Sequence, residues 1–150
     1  MLEIILPGVQ HLQNIHPVMV HFPIAFLVGA ALFYGMSWTL RGDTFAKTAF
    51  SLLIIGVISA GVAAGTGLYA EEGVMVSRSV REHLLEPHEI FMLTTLGLSI
   101  ILSVWALIAR PFPQKGRLFF ILLFVVLLAI MFLQYFLVPS LIQLAFKFRG

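Results

Sequence analysis

The feature that most restricts this chain is a series of four apolar runs, each long enough to cross a bilayer. A spanning helix needs about 20 mostly apolar residues. The runs cover residues 17–40, 46–70, 87–109 and 118–138. The first ends at Arg41-Gly42-Asp43, the second at Glu71-Glu72-Gly73, the third at Arg110-Pro111 and the fourth at Pro139. Backbone N–H and C=O groups find no water in hydrocarbon, so only helices and closed barrels span it. The runs therefore predict an all-α integral membrane four-helix bundle, a single transmembrane domain over residues 1–150. The segment from Ser140 to Gly150 either continues the fourth helix or lies in the interface.

The rest of the sequence agrees with this class. It is 60% hydrophobic and 11% charged, with a mean hydropathy of +1.03, whereas soluble domains carry about 25% charged residues. The net charge is +2, and the basic residues stand between the apolar runs. They read as topology signals and not as a nucleic-acid surface. There is no cysteine, which excludes disulfides, thiolate metal sites, iron–sulfur clusters and covalent c-type haem. The N-terminal MLEIILPGVQHLQNI has no basic n-region and no small-residue cleavage site, so no removable signal peptide is expected.

Four spans put both termini on one side, together with the loop between the second and third runs. That side carries Arg78, Arg81, Lys147 and Arg149, against Arg41, Lys47, Arg110, Lys115 and Arg117 in the two short loops opposite. The positive-inside rule places the short loops in the cytoplasm and the termini outside. Trp38 and Trp105, near the short-loop ends of the first and third runs, fit an aromatic belt. Both of those runs start near Pro and His and end with Trp shortly before Arg. This hints at two repeated hairpins, with chance similarity as a competitor.

The histidines are His11, His16, His21, His83 and His88. All fall near the start of the first or third run, and hence on one membrane side. An ionisable residue at membrane depth is a functional candidate. His16 and His21 are five residues apart, as are His83 and His88. In a helix that spacing turns the rings about 140° apart with a rise of about 7.5 Å. A chelate must then draw one imidazole from each of two helices, as cofactor sites in four-helix bundles do. Pro17 suits a first helical turn with His16 as its cap, which makes His21 the deeper residue. His21 and His88 are the expected facing pair. His16 and His83 are expected as interfacial, capping or hydrogen-bonding residues. For all four a plain hydrogen-bonding role competes with ligation.

Two facing imidazoles suit haem b, which needs one or two axial ligands and no cysteine. The second run has small residues around Gly56, Gly61, Gly65 and Gly67 that leave room. The Gly61-x-x-x-Gly65 spacing is equally a close helix-packing motif. Arg78 and Arg81 stand at the level of haem propionates, or are solvated loop charges offsetting Glu71, Glu72, Glu82 and Glu86. Tyr69 and the Gln134-Tyr135 pair end near the same side and offer hydrogen bonds to a ring edge, an imidazole or a quinone. A transition metal is a weaker alternative: Glu82, Glu86 and Glu89 surround His83 and His88, and histidine with carboxylate suits zinc, iron or manganese. There is no His-Glu-x-x-His motif and no di-iron Glu-x-x-His pair. Asp43, the single Asp, lies on the opposite side.

The segment His16-Pro-x-x-Val-His21-Phe-Pro-Ile, followed by an apolar helix, resembles the family of small bacterial membrane proteins known as domain of unknown function 2231. The resemblance extends to the four spans, the Gly/Ala-rich second helix from Gly61 to Gly67, and the histidines His83 and His88 before the third. It implies a bacterial inner membrane. Some family members look like membrane modules beside respiratory or Rieske-type proteins, which implies redox work, and His21 and His88 match the places where the family's histidines fall.

The function expected is a membrane b-type cytochrome with no catalytic residues of its own, an electron-transfer subunit more than a stand-alone enzyme. It would hold one haem b on His21 and His88, with His16 and His83 as supporting partners or as ligands of a second haem, and with Arg78, Arg81 and Tyr69 around it. It would relay electrons between an outer-face redox partner and the quinone pool or a respiratory complex. The alternative is a cofactor-free anchor or assembly subunit, with Phe119, Phe120, Phe124, Phe132 and Phe136 facing lipid or another subunit in either case.

Overall fold

The computed structural model describes residues 12–40, 43–72, 78, 81–109 and 117–147. They form four long helices: α1 (Leu12–Leu40), α2 (Asp43–Glu72), α3 (Glu86–Ala109) and α4 (Arg117–Lys147). A single π-helical turn, Arg81–Leu85, leads into α3. There is no strand among the described residues. Each helix holds a stretch long and apolar enough to cross a membrane: Val18–Leu40, Asp43–Tyr69, Glu86–Ala109 and Arg117–Gln134. The shortest helix, α3, has 24 residues and is about 36 Å long, more than a hydrocarbon core of about 30 Å. Large apolar side chains stand exposed around the bundle, Ile108 at 81% and Leu118 at 70% among them. That is the surface a bilayer covers.

Going round the bundle the order is α1, α2, α3, α4. α1 and α2 pack against each other extensively, α2 meets α3, α3 meets α4, and α4 returns to α1 over a short stretch. α1 and α3 are diagonal: among the described residues no Cα of one comes within 8 Å of a Cα of the other.

The main core cluster lies at one end, while Ala60, Ala63 and Ala64 of α2 are buried farther along. Leu27, Ala30 and Tyr34 of α1, Ala46, Ala49 and Leu53 of α2, Leu102 and Ala106 of α3, and Phe120, Phe124, Leu127 and Met131 of α4 form one cluster. All lie in the half toward the short interhelical loops. The Tyr34 ring meets Phe120 edge-on at 5.3 Å between centroids, and Trp105 meets Phe120 edge-on at 5.8 Å. Trp105 is thus partly built into the core and is more than a belt residue. Trp38 stays exposed and carries the Arg117 guanidinium at 4.8 Å from its ring, a cation–π contact at interface level. In the other half, α3 buries no residue between Glu86 and Leu98.

One helix boundary differs from the sequence reading, and one that it left open is decided. α1 starts at Leu12, so Pro17 and Pro23 are both internal and His16 is not a cap. α4 continues through Pro139 to Lys147. A proline removes one donor from the carbonyl four residues back, here those of Gln13, Met19 and Tyr135. Membrane helices tolerate this where neighbouring groups satisfy the backbone. Pro23 itself is buried in the bundle.

α1 approaches α2 closely because glycine lies at the contact. A Cβ at Gly56 would stand 2.9 Å from Leu27 Cδ2 and 3.1 Å from its Cγ, and Leu27 is fully buried. At Gly61 a Cβ would meet nothing within 4 Å. Gly56→Val is therefore expected to cost about 1–3 kcal/mol by overpacking and to lower the thermal midpoint in detergent. Gly61→Ala is expected to leave it unchanged or to raise it by up to about 1 kcal/mol through helix propensity.

Candidate functional site

At the end away from the core, the N-termini of α1 and α3 lie beside the C-terminal parts of α2 and α4. Each helix sends one polar side chain inward. His16 comes from α1, Thr66 from α2, His88 from α3 and Gln134 from α4. The rings of His16 and His88 lie 6.5 Å apart between centroids with an interplanar angle of 87°. The two backbones are diagonal, so these rings bridge the middle of the bundle.

Each ring is tied to a neighbouring helix. His16 Nδ1 is 3.3 Å from Thr66 Oγ1, and Thr66 Oγ1 donates to the Ala63 carbonyl at 2.9 Å. A hydroxyl has one proton. With that proton on Ala63, Thr66 accepts from an Nδ1–H of His16, and the neutral ring carries its lone pair on Nε2. On the other side, Gln134 Nε2 donates to His88 Nδ1 at 3.0 Å. A half-turn of the amide would present Oε1 to an Nδ1–H instead, so Gln134 serves either tautomer of His88.

Glycine makes room for the first ring. A Cβ at Gly67 would lie 2.8 Å from His16 Cε1 and 3.3 Å from both ring nitrogens. No larger residue fits without displacing the imidazole. The π-turn before α3 has a local cause: Pro87 has no N–H for the His83 carbonyl and crowds it, which favours a wider turn there. Turns of this kind recur at functional sites.

The expected pair was His21 with His88. The ring that packs against His88 is His16, while His21 is exposed. The five-residue spacing explains the exchange: with His16 turned inward, His21 points about 140° away. A helix starting at Pro17 would make His21 the inner residue, and the earlier start of α1 removes that argument. His83 lies on the π-turn, but its side chain is outside the described residues, as are His11, Arg41, Arg110 and Lys115. Tyr69 is 62% exposed. Arg78 Nε donates to Glu82 Oε1 at 2.8 Å in an exposed ion pair, which fits the loop-charge reading of Arg78. Arg81 is exposed on the π-turn. A Cβ at Gly61 or Gly65 would meet nothing within 4 Å among the described residues.

Gln134 reaches an imidazole, one of the partners its position offered in the sequence. Thr66 was missed as a partner. Its signal was present: it is the one hydroxyl in the Gly/Ala stretch from Ala60 to Gly67, at the level where α2 passes the start of α1. Among the described residues no three of His, Cys, Asp or Glu converge to hold a metal ion. A purely protein-ligated site of that kind is therefore not formed by them.

His16 lies just before the apolar part of α1. Burial lowers its pKa below the ordinary 6.5, and the Ala63 carbonyl partly opposes the shift. The ring is therefore neutral at pH 7, the form that can bind a metal. The unfolded chain binds more protons than the folded one between the depressed pKa and 6.5, so this contribution to stability rises with pH. It is complete above 6.5 and lost as pH falls through the folded value. The thermal midpoint in detergent is expected to fall between pH 7.5 and 5.5, and His16→Asn to flatten that slope. Gly67→Ala is expected to return the His16 pKa toward 6.5, read by histidine NMR titration.

The family described as predicted membrane protein, domain of unknown function 2231 (DUF2231), matches residues 12–138. No curated protein and no solved structure compared with the chain matches it. The matched stretch runs from the start of α1 into the last third of α4 and takes in every residue of the histidine site. The chain belongs to the DUF2231 family of predicted membrane proteins.

Proposed function

We propose that this membrane protein is a small b-type cytochrome with one haem held between His16 and His88. The observation that carries the reading is the ring pair across the bundle diagonal. Two imidazoles that each reach one shared metal ion through a bond of about 2 Å would have centroids at most about 6.5 Å apart. The observed 6.5 Å is close to that span. The surroundings fit the group as well. The histidine half of α3 buries no residue before Ser99, and α1 and α3 keep their backbones apart. Haem, when bound, supplies one-electron Fe(III)/Fe(II) chemistry in a low-dielectric shell.

The chain's own residues then have definite tasks. His16 and His88 would hold the haem iron through ring nitrogens. Thr66 fixes the His16 ring by accepting its Nδ1–H, and Gln134 does the same for His88 with its amide oxygen turned inward. Such partners orient a ligand and raise its basicity. Gly67 keeps the space the His16 ring needs. Arg81, exposed on the π-turn, would meet the propionates. The protein would pass electrons between an outer-face redox partner and the quinone pool or a respiratory complex. The charge asymmetry of the loops supports a histidine end on the outer face, and the family resemblance supports a bacterial inner membrane.

A cofactor-free anchor or assembly subunit is the second reading. It rests on the same hydrogen bonds, with His16–Thr66 and His88–Gln134 as interhelical ties. The spectrum separates the two. Protein purified from haem-sufficient cells is expected to show a Soret band and sharp α-bands on reduction. His16→Ala and His88→Ala are each expected to abolish the pigment, and His21→Ala to keep it. Thr66→Val is expected to weaken haem retention by about 10–100-fold. Colourless protein, or pigment indifferent to His16 and His88, would sink the cytochrome reading.

A further inference from the structure

We infer that α3 carries an internal water site near the middle of the membrane, held by Thr95, Ser99 and Ser103. These hydroxyls share the inward face of α3 with His88, all within about 80° of arc. Ser99 and Ser103 are buried, at 0% and 5% exposure. Thr95 Oγ1 and Ser103 Oγ are buried and meet no hydrogen-bonding group among the described residues. A buried hydroxyl without a partner is costly, and an ordered water is a common remedy.

The spacing suits water. Residues four apart on a helix have Cβ atoms about 5–6 Å apart, and two O–H···O hydrogen bonds meeting at the roughly tetrahedral angle of a water span about 4.5 Å, a separation that hydroxyls swung toward each other from those Cβ atoms can reach. One water therefore fits between Thr95 and Ser99, and a second between Ser99 and Ser103. The donors and acceptors also balance. Ser99 Oγ already donates to the Leu96 carbonyl at 2.8 Å, which leaves it two lone pairs. Each water accepts from Thr95 or Ser103 and donates to one of those lone pairs. Each keeps a proton for a further acceptor.

The file runs along the face that begins at His88 and stops where Leu102, Ala106 and Phe120 close the core, at 0–1% exposure. It is a blind well. It hydrates the histidine half from within and opens no route across the bilayer. It is independent of any pigment, so it stands or falls apart from the cytochrome reading.

Water-edited solid-state NMR on the full chain, isotopically labelled in lipid bilayers, tests it. Magnetisation from water is expected to reach Thr95 and Ser103 much sooner than Leu102 and Ala106. Build-up at Thr95 and Ser103 as slow as at Leu102 would overturn the site. In detergent, Ser103→Ala is expected to lower the thermal midpoint by a few degrees, since it removes a water ligand. A midpoint that rises would mean that an unsatisfied hydroxyl had been relieved, and would count against the site. If that variant fails to fold, the build-up in the unaltered protein decides.

Discussion

An imidazole near the edge of hydrocarbon must find its hydrogen bonds inside the protein, and much of this bundle follows from meeting that need twice. His16 is met by Thr66 on α2, and His88 by Gln134 on α4. Each bond ties two helices that are neighbours round the bundle, and the two rings join the diagonal. Four helices that expose apolar side chains to lipid have little hydrophobic reason to choose one another, since lipid tails are as apolar as leucine. Small residues and polar ties supply the choice. Gly56 lets Leu27 into the α1–α2 contact, and the ring pair sets which ends meet.

The two ends of the bundle have different work. Toward the short loops the aromatic and aliphatic cluster around Tyr34, Leu102, Phe120 and Leu127 is closed. Toward the histidines, α3 leaves its side chains half-exposed or exposed from Glu86 to Leu98. Dense packing at one end holds the helices, while at the other end α3 keeps the looser lining that the proposed haem would need. An apolar cavity of about 180 Å³ does lie between α1 and α4, beside Tyr34, Trp38 and Phe124. Tyr34 is about 27 Å along α1 from His16, so that cavity is no part of the histidine site.

The fold was legible because hydrocarbon leaves a chain so few options: four runs of the right length and composition imply four helices. The helix ends were less legible, because proline is a strong stop signal in water and a weak one where neighbouring helices support the backbone. Pro17 and Pro139 both lie inside helices for that reason. At the site, the sequence pointed to one imidazole each from α1 and α3, and the rule that rings five residues apart diverge was already available. The choice between His16 and His21 turned on where α1 begins, a point set by residues outside the apolar run. Thr66 was hidden for a different reason. A threonine in a membrane helix usually bonds its own preceding turn, as Thr66 does with Ala63, and only the packing of α1 shows that its oxygen has a second partner.

The uneven packing of the helices has a consequence for how the protein is made. Among the described residues α1 and α2 share the most extensive contact, and they meet through a two-residue connection. This hairpin has its partner surfaces in hand before α3 leaves the ribosome. His16 and Thr66 both belong to it, so half of the histidine site is set early in synthesis. His88 and Gln134 arrive only with the second hairpin, whose grip on the first is slighter. The ring pair thus closes last, and completing the site and completing the bundle become one event in the life of the chain.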